Sequence, residues 1–366
     1  MEEQKEKICF VLQQHTKGTH MDYVYEMART LRHDENLPLT LFLEKGGCRE
    51  EDKAWCVAQS FRFAPLRIFE NVYMLLKMRM NGYKIFYVHY SFVSAVSAGI
   101  ITKLFGGTVY YWNCGMPWNY KRSFMESAYQ KLAYKLIDYL VTGADAIVDG
   151  YVSYYGLKKE QVKVIPNWID LEHIKKDPSA RQNVATRLGI PDDAKILLFV
   201  HKLAKRKGAH LLPEILEEVS DRNVHLVVAG DGDQRDAIKK QSDLLGLTSR
   251  VHMLGYVGRN EVQELLQGTD LFVMPSEEEG SPHSLIEAMA YGLPFVSFDV
   301  GGVKETAPPE AAPYIYEYGD TKRMASGIDI LLKDQAKYSS FQTSERMWVQ
   351  NFSKQIITQK FKSLLS

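Results

Sequence analysis

The chain of 366 residues has only four cysteines, Cys9, Cys48, Cys56 and Cys114, and no CxxC pair. Neither a zinc site nor a disulfide framework is therefore indicated. The chain also lacks an uninterrupted apolar run of about 18 residues, the length that a membrane-spanning helix needs. Its first residues, MEEQKEKICFVL, are acidic and mixed, whereas a signal peptide is basic and then apolar. These absences predict a protein of the reducing cytoplasm.

Internal repeats, low-complexity tracts and an overall net charge are absent as well. Forty-five Lys and Arg residues balance 45 Asp and Glu residues, and 45% of the chain is hydrophobic. This composition is ordinary for a folded globular protein. The length is too great for one ordinary core, so we expect two domains of about 150 to 200 residues each.

One segment departs from the charge balance. From Lys53 to Lys135 the sequence has eleven Lys or Arg residues, and its only acids are Glu70 and Glu126. Aromatic residues are concentrated in the same segment, which suggests an anionic partner such as a bilayer or a phosphorylated lipid. Nucleic acid would also be attracted to such a surface. The alternative is that most of these aromatics are core residues and that the charges form a solvated face.

Short apolar or aromatic runs alternate with helix-length segments along the chain. The runs predicted as strands are 8–14, 39–44, 84–90 and 108–114, then 194–202, 223–232, 250–257, 270–276 and 293–299. Such alternation is typical of parallel sheets covered by helices. Two sets of strands predict two doubly wound α/β domains. Pro166 and Asn167 interrupt the pattern and mark the join.

The strand predicted at 270–276 is followed by the sequence EGSPHSLIE. Within it, Ser281 is a good helix N-cap, and Pro282 suits the first helical position because its missing N–H costs nothing there. The amides of His283 and Ser284 would then lie without partners at the positive end of a helix. This arrangement predicts an anion site, and phosphate is the usual anion.

Two carboxylates flank this turn, Glu279 before it and Glu287 after it. Glu287 falls one helical turn after His283 on the same face, between Ile286 and Ala288. A carboxylate so flanked needs hydrogen-bond donors, and the hydroxyls of a ligand would supply them. A sugar, a diphosphate and a ribose laid across the turn would use both acids. The alternative is that both glutamates are solvated surface residues.

The longer stretch DLFVMPSEEEGSPHSLIEAMAYGLPFVSFDVGGVKE resembles the signature of retaining, nucleotide-sugar-dependent glycosyltransferases of the GT-B fold, the large family that includes sucrose synthase. Glu279 and Glu287 meet its E-x7-E pattern. Other stretches similar to the family follow in order over almost the whole chain: KGTHMDYVYEMARTL, VKVIPNWID, FVHKLAKRKGAHLL, LVVAGDGDQRDAI, VHMLGYV and the closing SERMWVQNFSKQIITQKF. The resemblance implies a GT-B architecture, with two Rossmann-like domains that face a central cleft.

The resemblance also implies roles for individual residues. Lys207 matches a lysine of the family, and Lys202 stands where the family usually has arginine. Both would hold the diphosphate of the donor, because a departing diphosphate needs fixed positive charge. Glu279 would contact the transferred sugar, and Glu287 would hold the ribose. Lys202, Lys207 and Glu279 are thus the predicted catalytic group.

The other donor contacts that the resemblance implies come from loops and backbone. The residues concerned are Gly280, Ser281, His283 and Ser284 at the helix start, Gly18 and Thr19 after the first strand, and Met253 in VHMLGYV. The helix start would offer N–H groups to the sugar and phosphates. The loop after the first strand would approach the phosphates from the first domain. The VHMLGYV stretch would bracket the base with backbone contacts.

The sequence departs from the family pattern at several of these positions. His201, included among the donor contacts, replaces the glycine before the basic residue, so a side chain enters where backbone usually lies. Lys202 lacks the bidentate fork of arginine. Asn113 stands near the family's histidine on the acceptor side, and an amide cannot exchange protons near neutral pH. His89, also assigned to the acceptor side, is at a strand end, where histidines more often have structural roles.

We therefore expect a retaining, metal-independent hexosyltransferase. The predicted domains are residues 1–166, completed by a terminal helix at about 346–366, and residues 167–345. The resemblance implies a nucleotide diphosphate sugar as co-substrate, UDP-sugar before GDP-sugar, and no other cofactor. The expected acceptor is lipid-linked or another glycan, in surface-glycan or lipid-linked oligosaccharide assembly.

The expected location is cytoplasmic, on the inner face of the cell membrane, and nucleic acid is not an expected partner. Asp231 and Asp233 spell a DxD motif, but in a turn after a parallel strand, and we assign no metal to them. The alternatives are a nucleotide-sugar 2-epimerase on the same fold and a non-catalytic protein that binds sugar nucleotides.

Overall fold

The computed structural model describes residues 5–15, 21–61 and 63–366. Contacts divide the chain into two units, residues 1–166 with 355–366 and residues 167–354. The sequence predicts that the chain crosses back to the first unit earlier, near residue 346. That stretch includes the end of a helix at Gln335–Trp348, which packs within the second unit.

The first unit is built on a parallel sheet. Its strands are β1 (Lys7–Leu12), β2 (Leu39–Leu43), β3 (Cys56–Ala58), β4 (Tyr83–His89), β5 (Thr108–Trp112), β6 (Tyr139–Thr142) and β7 (Val162–Val164). Its helices are α1 (Asp22–His33), α2 (Ala64–Met80), α3 (Phe92–Phe105), α4 (Phe124–Leu136) and α5 (Val148–Tyr155), together with the chain's last helix, Lys354–Leu365. The strand order is β3-β2-β1-β4-β5-β6-β7.

Helices cover both faces of this sheet, because neighbouring side chains of a strand point to opposite faces. In β4, Phe86 packs in a core cluster with Leu75 of α2 and Val96 of α3. The next residue, Tyr87, instead contacts Phe361 of the last helix, with ring centroids 5.6 Å apart. A sheet buried on both sides explains why its strands are continuous apolar runs rather than alternating ones.

The second unit repeats this plan. Its strands are β8 (Lys195–Val200), β9 (Val224–Ala229), β10 (Val251–Gly255), β11 (Leu271–Met274), β12 (Phe295–Phe298) and β13 (Ile315–Tyr316). Its helices are α6 (Ala180–Leu188), α7 (Leu212–Glu218), α8 (Arg235–Leu244), α9 (Arg259–Gly268), α10 (His283–Tyr291), α11 (Val303–Thr306), α12 (Thr321–Lys333) and α13 (Gln335–Trp348). The last helix of the chain, which belongs to the first unit, is numbered α14 (Lys354–Leu365). The strand order is β10-β9-β8-β11-β12-β13.

The prediction of two doubly wound α/β domains is confirmed. Each of the nine runs predicted as a strand overlaps one, and the paired strands are parallel, for example β8 with β9 and with β11. The strands β3, β6, β7 and β13, which have two to four residues each, are not predicted. No helix among the described residues is long and apolar enough to cross a membrane.

The prediction that the cysteines form no disulfide is wrong. Cys48 and Cys56 are bonded, with their Cα atoms 5.8 Å apart, whereas Cys9 and Cys114 are not part of a disulfide. Cys56 opens β3, which pairs with β2 so that Cys56 lies beside Leu41. The loop between these strands therefore folds back on itself and brings Cys48 to its partner. A spacing of eight residues does not reveal such a return in the sequence.

Candidate functional site

The order in which strands are added to the second sheet reverses between β8 and β11. Strands added after β8 lie first on one side of it, as β9 and β10, and then on the other, as β11 to β13. In open α/β sheets ligands bind beyond the carboxyl ends of the strands at such a reversal. The segments that leave β8 and β11 there are 201–208 and 275–282, which contain six of the twelve residues predicted to bind the donor.

The first of these segments is held tightly against the second. Lys205–Lys207 forms a short 3-10 turn that ends at Gly208. Gly208 has a φ of +66°, and a Cβ there would lie 1.7 Å from the carbonyl oxygen of Pro275, so only glycine fits. The N–H of Glu277 also donates to the carbonyl of Arg206 at 3.0 Å. This close approach fixes the position of the Lys207 side chain.

Lys207 and Glu279 form a buried ion pair. Lys207 Nζ lies 2.7 Å from Glu279 Oε1 and 3.2 Å from the carbonyl oxygen of Glu278. Ser276 Oγ also donates to Glu279 Oε1, at 2.8 Å. Burial acts to raise the pKa of Glu279, but Lys207 and these hydrogen bonds hold it below its ordinary value. The carboxylate is therefore ionised, and the site keeps a fixed positive charge beside it.

His201 belongs to the same group, whereas Lys202 does not. Removal from water, reinforced by the nearby positive charge of Lys207, lowers the pKa of His201 to about 4. Its Nδ1 accepts a hydrogen bond from the backbone N–H of Lys202 at 2.8 Å, so the neutral ring carries its proton on Nε2. The side chain of Lys202 is exposed, and the structure does not bring it to Glu279.

The start of α10 differs from the prediction at two residues. The helix begins at His283, and Pro282 is the capping residue rather than the first helical one. Ser281 does not cap the helix, because its Oγ accepts from the N–H of Asn167 at 2.9 Å. The Asn167 side chain donates in turn to the Ser281 carbonyl at 2.6 Å. Competition from Asn167, 114 residues away in the chain, is not visible in the local pattern.

Gly280 and Ser281 are buried in this turn, whereas His283 and Ser284 at the helix start are partly exposed. As the first two residues of α10, His283 and Ser284 have no acceptor for their N–H groups within the helix. The helix has nine residues, and its positive end opens beside the turn that carries Glu279. The predicted anion would lie at this end of the helix, and the anion site stays a prediction.

His283 and Glu287 lie on the same face of α10, one helical turn apart, and their side chains form an ion pair. Nδ1 of His283 lies 3.6 Å from Oε2 of Glu287, and both side chains are partly exposed. Burial opposes charge on each group, but the opposite charge of Glu287 raises the pKa of His283. His283 in turn lowers the pKa of Glu287, aided by Arg259. Each side chain thus favours the charged form of the other.

Met253 is not brought to this group. It lies within the edge strand β10, opposite Val228 of β9, and packs against the core of the second unit. Since β9 separates β10 from β8, the Met253 side chain is far from the reversal point. Its predicted place beside the base depends on backbone contacts, and it stays a prediction.

In the first unit, the residues assigned to the acceptor side are buried at the carboxyl ends of β4 and β5. The ring of His89 stacks on Trp112 with centroids 4.2 Å apart. The Asn113 amide donates to the hydroxyl of Tyr134 at 3.1 Å and accepts from the N–H of Gly115 at 3.2 Å. Asn113 thus has a structural role here.

Gly18 and Thr19 lie outside the described residues. Among the residues that the structure describes, no group of three or more His, Cys, Asp or Glu side chains could hold a metal ion. Asp231 and Asp233 are exposed, and Asp231 lies 3.7 Å from Arg235.

Sequence reasoning missed three contributors to the site. Ser276 donates to Glu279, Asn167 binds the turn before α10, and Arg259 influences the His283 and Glu287 pair. Ser276 and Asn167 stand in stretches already singled out, so their polar side chains beside a predicted site were the available signal. Arg259 begins α9, and no local pattern connects it to α10.

Residues 180–348 match the family model described as glycosyl transferases group 1. The match lies wholly in the second unit and includes Lys207, Glu279 and Glu287. An uncharacterised glycosyltransferase of Methanocaldococcus jannaschii is 30% identical over 198 residues, which are 53% of this chain and 51% of that protein. The chain therefore spans about half the length of this curated relative.

Two further proteins extend the comparison. The lipopolysaccharide core biosynthesis glycosyltransferase LpsE of Rhizobium meliloti is 27% identical over 257 residues, 69% of this chain and 72% of LpsE. The crystal structure of Anabaena HepE in complex with UDP and glucose superimposes with a TM-score of 0.81 at 20% identity, over 98% of this chain and 99% of HepE. This likeness shows the fold, and the predicted GT-B fold class is confirmed.

Proposed function

We propose that this protein is a retaining glycosyltransferase that moves a hexose from a nucleotide diphosphate sugar to a glycan or lipid-linked acceptor. The observation that carries the proposal is the buried pair of Lys207 and Glu279 at the reversal point of the second sheet. It lies in the stretch that matches group 1 glycosyl transferases. The partly exposed α10 start follows it directly and supplies a second source of positive potential.

The chemistry that this site would perform follows from its charges. When the bond between the anomeric carbon and the donor phosphate breaks, negative charge develops on the diphosphate. Lys207 and the α10 amides would stabilise that charge without a metal ion. Glu279 would orient the transferred sugar through its hydroxyls, and Glu287 would hold the ribose.

In the proposed front-face transfer the acceptor oxygen bonds to the anomeric carbon on the side from which the phosphate leaves. The acceptor proton passes to the departing phosphate oxygen, and the configuration of the sugar is retained. Neutral His201 has no charge to add, so its Nε2 proton would serve as a hydrogen-bond donor only.

The comparisons support the choice of substrates. HepE, which shares the fold, is described in complex with UDP and glucose and in complex with UDP-glucose. A UDP-hexose is therefore our first choice of donor, with a GDP-sugar as the alternative. LpsE acts in lipopolysaccharide core biosynthesis, and we infer by analogy that this protein takes part in the assembly of a surface glycan.

A panel of nucleotide sugars tests the proposal. Thermal unfolding would be followed with UDP-sugars and GDP-sugars, and the donor with the largest rise in melting temperature would be incubated with the enzyme alone. Slow release of free sugar with the anomeric configuration of the donor is expected. Conversion of the donor to its 2-epimer, followed by nuclear magnetic resonance, would indicate an epimerase instead. Binding without any release would indicate a non-catalytic protein.

A further inference from the structure

The helices α2, α3 and α4 of the first unit expose apolar side chains to solvent. On α2, Leu66, Phe69, Tyr73 and Met80 recur every three to seven residues and are all exposed. Such spacing places them on one stripe of the helix. The opposite side of α2 is also apolar, with Leu75 in the core. A helix that covers a sheet ordinarily shows polar residues to solvent, so this outer stripe needs an explanation.

The neighbouring helices continue the pattern. On α4 the exposed residues Met125, Tyr129 and Leu132 are spaced by four and three, beside the most exposed apolar residue of the group, Phe124 at 87%. On α3 the exposed apolar residues are Ile100, Leu104 and Phe105. We call the exposed apolar residues of the three helices the α2–α4 face.

Side-chain contacts join the three helices into one layer. The Asn71 amide of α2 donates to Ser94 Oγ of α3 at 2.8 Å, and both groups are buried. In the middle of α3, Gly99 leaves no room for a Cβ, which would lie 2.6 Å from the Leu136 side chain of α4. The Arg79 side chain of α2 donates to the Gly106 carbonyl at 2.6 Å. The exposed stripes are therefore neighbours on a single surface.

The charge of this layer is positive. Its three helices contain six basic residues, Arg67, Lys77, Arg79, Lys103, Lys131 and Lys135, against the two acids Glu70 and Glu126. Both acids accept hydrogen bonds from backbone N–H groups, Glu70 from residues 60 and 61 and Glu126 from residue 123. Among the described residues, Lys77, Lys131 and Lys135 have no ion-pair partner.

Two kinds of occupant would cover an apolar face of this size, and the charge decides between them. A second copy of the same face would bring like charges together, which opposes pairing. An anionic bilayer would attract the lysines and accept the rings and aliphatic side chains at the same time. The described part of the second unit has few exposed large apolar residues, and they lie on separate elements, such as Leu244 and Ile330.

We propose that the α2–α4 face is a bilayer contact surface, in which the apolar stripes enter the headgroup region of an anionic membrane. Aromatic and aliphatic side chains with flanking lysines are the composition that such interfaces favour. All three helices, except the last residue of α4, lie within Lys53–Lys135, the segment for which the sequence suggests an anionic partner. The inference stands on this surface and does not require the proposed transfer reaction.

Co-sedimentation with vesicles tests the proposal. The full chain is expected to bind vesicles that contain phosphatidylglycerol, to bind phosphatidylcholine vesicles weakly, and to bind less at high salt. The double variant Phe69→Glu with Phe124→Glu should lower the partition coefficient at least about tenfold, because each ring loses its burial in lipid. A matched control is Leu244→Glu in the second unit, since Leu244 is 77% exposed and Phe69 is 74% exposed.

A second variant separates charge from apolar insertion. Lys131→Glu with Lys135→Glu should reduce binding mainly at low salt, where screening is weak. Circular dichroism and nucleotide binding would confirm that each variant is folded. The proposal is overturned if the unmodified protein ignores anionic vesicles at low salt, or if the Phe69 and Phe124 variant binds as well as the Leu244 control. A dimer that this variant dissociates, with no vesicle binding, would identify the face as a protein interface and overturn it too.

Discussion

The ammonium nitrogen of Lys207 lies 2.7 Å from a carboxylate oxygen of Glu279, and both side chains are buried. Each group is therefore held in place by the other before any ligand arrives. A buried ion pair contributes to stability only when further hydrogen bonds satisfy its remaining donors and acceptors. Here Ser276 donates to Glu279, and Lys207 donates to the Glu278 carbonyl. Lys207 thus serves the stability of the unit as well as the proposed donor site.

Replacement of Lys207 tests both roles. Lys207→Met leaves the Glu279 carboxylate buried without its counter-charge, so we expect a loss of about 3 kcal/mol in the free energy of unfolding. The double variant with Glu279→Gln removes the stranded charge and should recover at least about 1 kcal/mol of this loss. Transfer should fall by about 10²-fold or more in both variants, because neither stabilises the departing diphosphate.

Urea unfolding and initial transfer rates measure these two effects. Lys205→Met is the matched control, since Lys205 stands two residues earlier in the same turn and is exposed. It should change neither stability nor rate. If the double variant proves less stable than Lys207→Met alone, the buried pair does not have the role we assign to it.

His201 should stay neutral at physiological pH. Burial and the charge of Lys207 lower its pKa to about 4, whereas the unfolded chain protonates it near its ordinary value of 6.5. The unfolded state therefore binds the proton first, and this residue weakens the fold as pH falls from about 6.5 towards 4. Titration of labelled histidine by nuclear magnetic resonance should show the low pKa, and Lys207→Met should raise it. An unchanged His201 pKa in that variant would contradict the assigned cause.

The sequence was informative where a pattern is local and uninformative where a partner is distant. Periodic apolar runs predicted the long strands, and the spacing of His283 and Glu287 predicted that they share one face of α10. Nothing local indicated that Asn167 would take the Ser281 hydroxyl away from the helix start. The Lys207 to Glu279 contact joins residues 72 apart, so it emerges only when β8 and β11 lie side by side.

Glu287 should matter for the nucleoside part of the donor. Glu287→Gln keeps the shape of the side chain but removes the charge proposed to accept hydrogen bonds from ribose hydroxyls. We expect the Kd for UDP to rise about tenfold, a change of about 1.4 kcal/mol. The pKa of His283 should fall in the same variant, because Glu287 is what raises it. Calorimetric titration with UDP checks the first effect, and equal affinities would remove Glu287 from the site.

Activity should survive excess EDTA. In the proposed reaction the positive charge that the diphosphate requires would come from Lys207 and the start of α10, and Asp231 and Asp233 are exposed acids outside that group. Asp231→Asn with Asp233→Asn should therefore transfer sugar at the rate of the unmodified enzyme. Rates measured with and without the chelator provide the test. Loss of activity that Mg²⁺ or Mn²⁺ restores, together with inactivity of the double variant, would assign a metal to those two acids.

Glu345 of α13 should make the second unit less stable as pH rises. Its side chain is fully buried, and neither carboxyl oxygen has a hydrogen-bond partner among the described residues. Burial raises its pKa well above the ordinary value of 4.5, so between these two values the folded state keeps a proton that the unfolded state has released. The free energy of unfolding should then decrease with rising pH in that window, by up to about 1.4 kcal/mol per pH unit.

Glu345→Gln removes this titration while it keeps the size of the side chain. Urea unfolding would be measured between about pH 5 and about pH 8, above the ordinary pKa of the carboxyl group. The free energy of unfolding should decline less steeply with rising pH for the variant than for the unmodified protein. Glu317→Gln, at an exposed position of the same unit, is the matched control and should run parallel to the unmodified protein. Because every other titrating group is common to the three proteins, the difference between their slopes isolates Glu345. Parallel curves for all three would mean that this carboxyl group is ionised in the fold, with a counter-charge or water beside it.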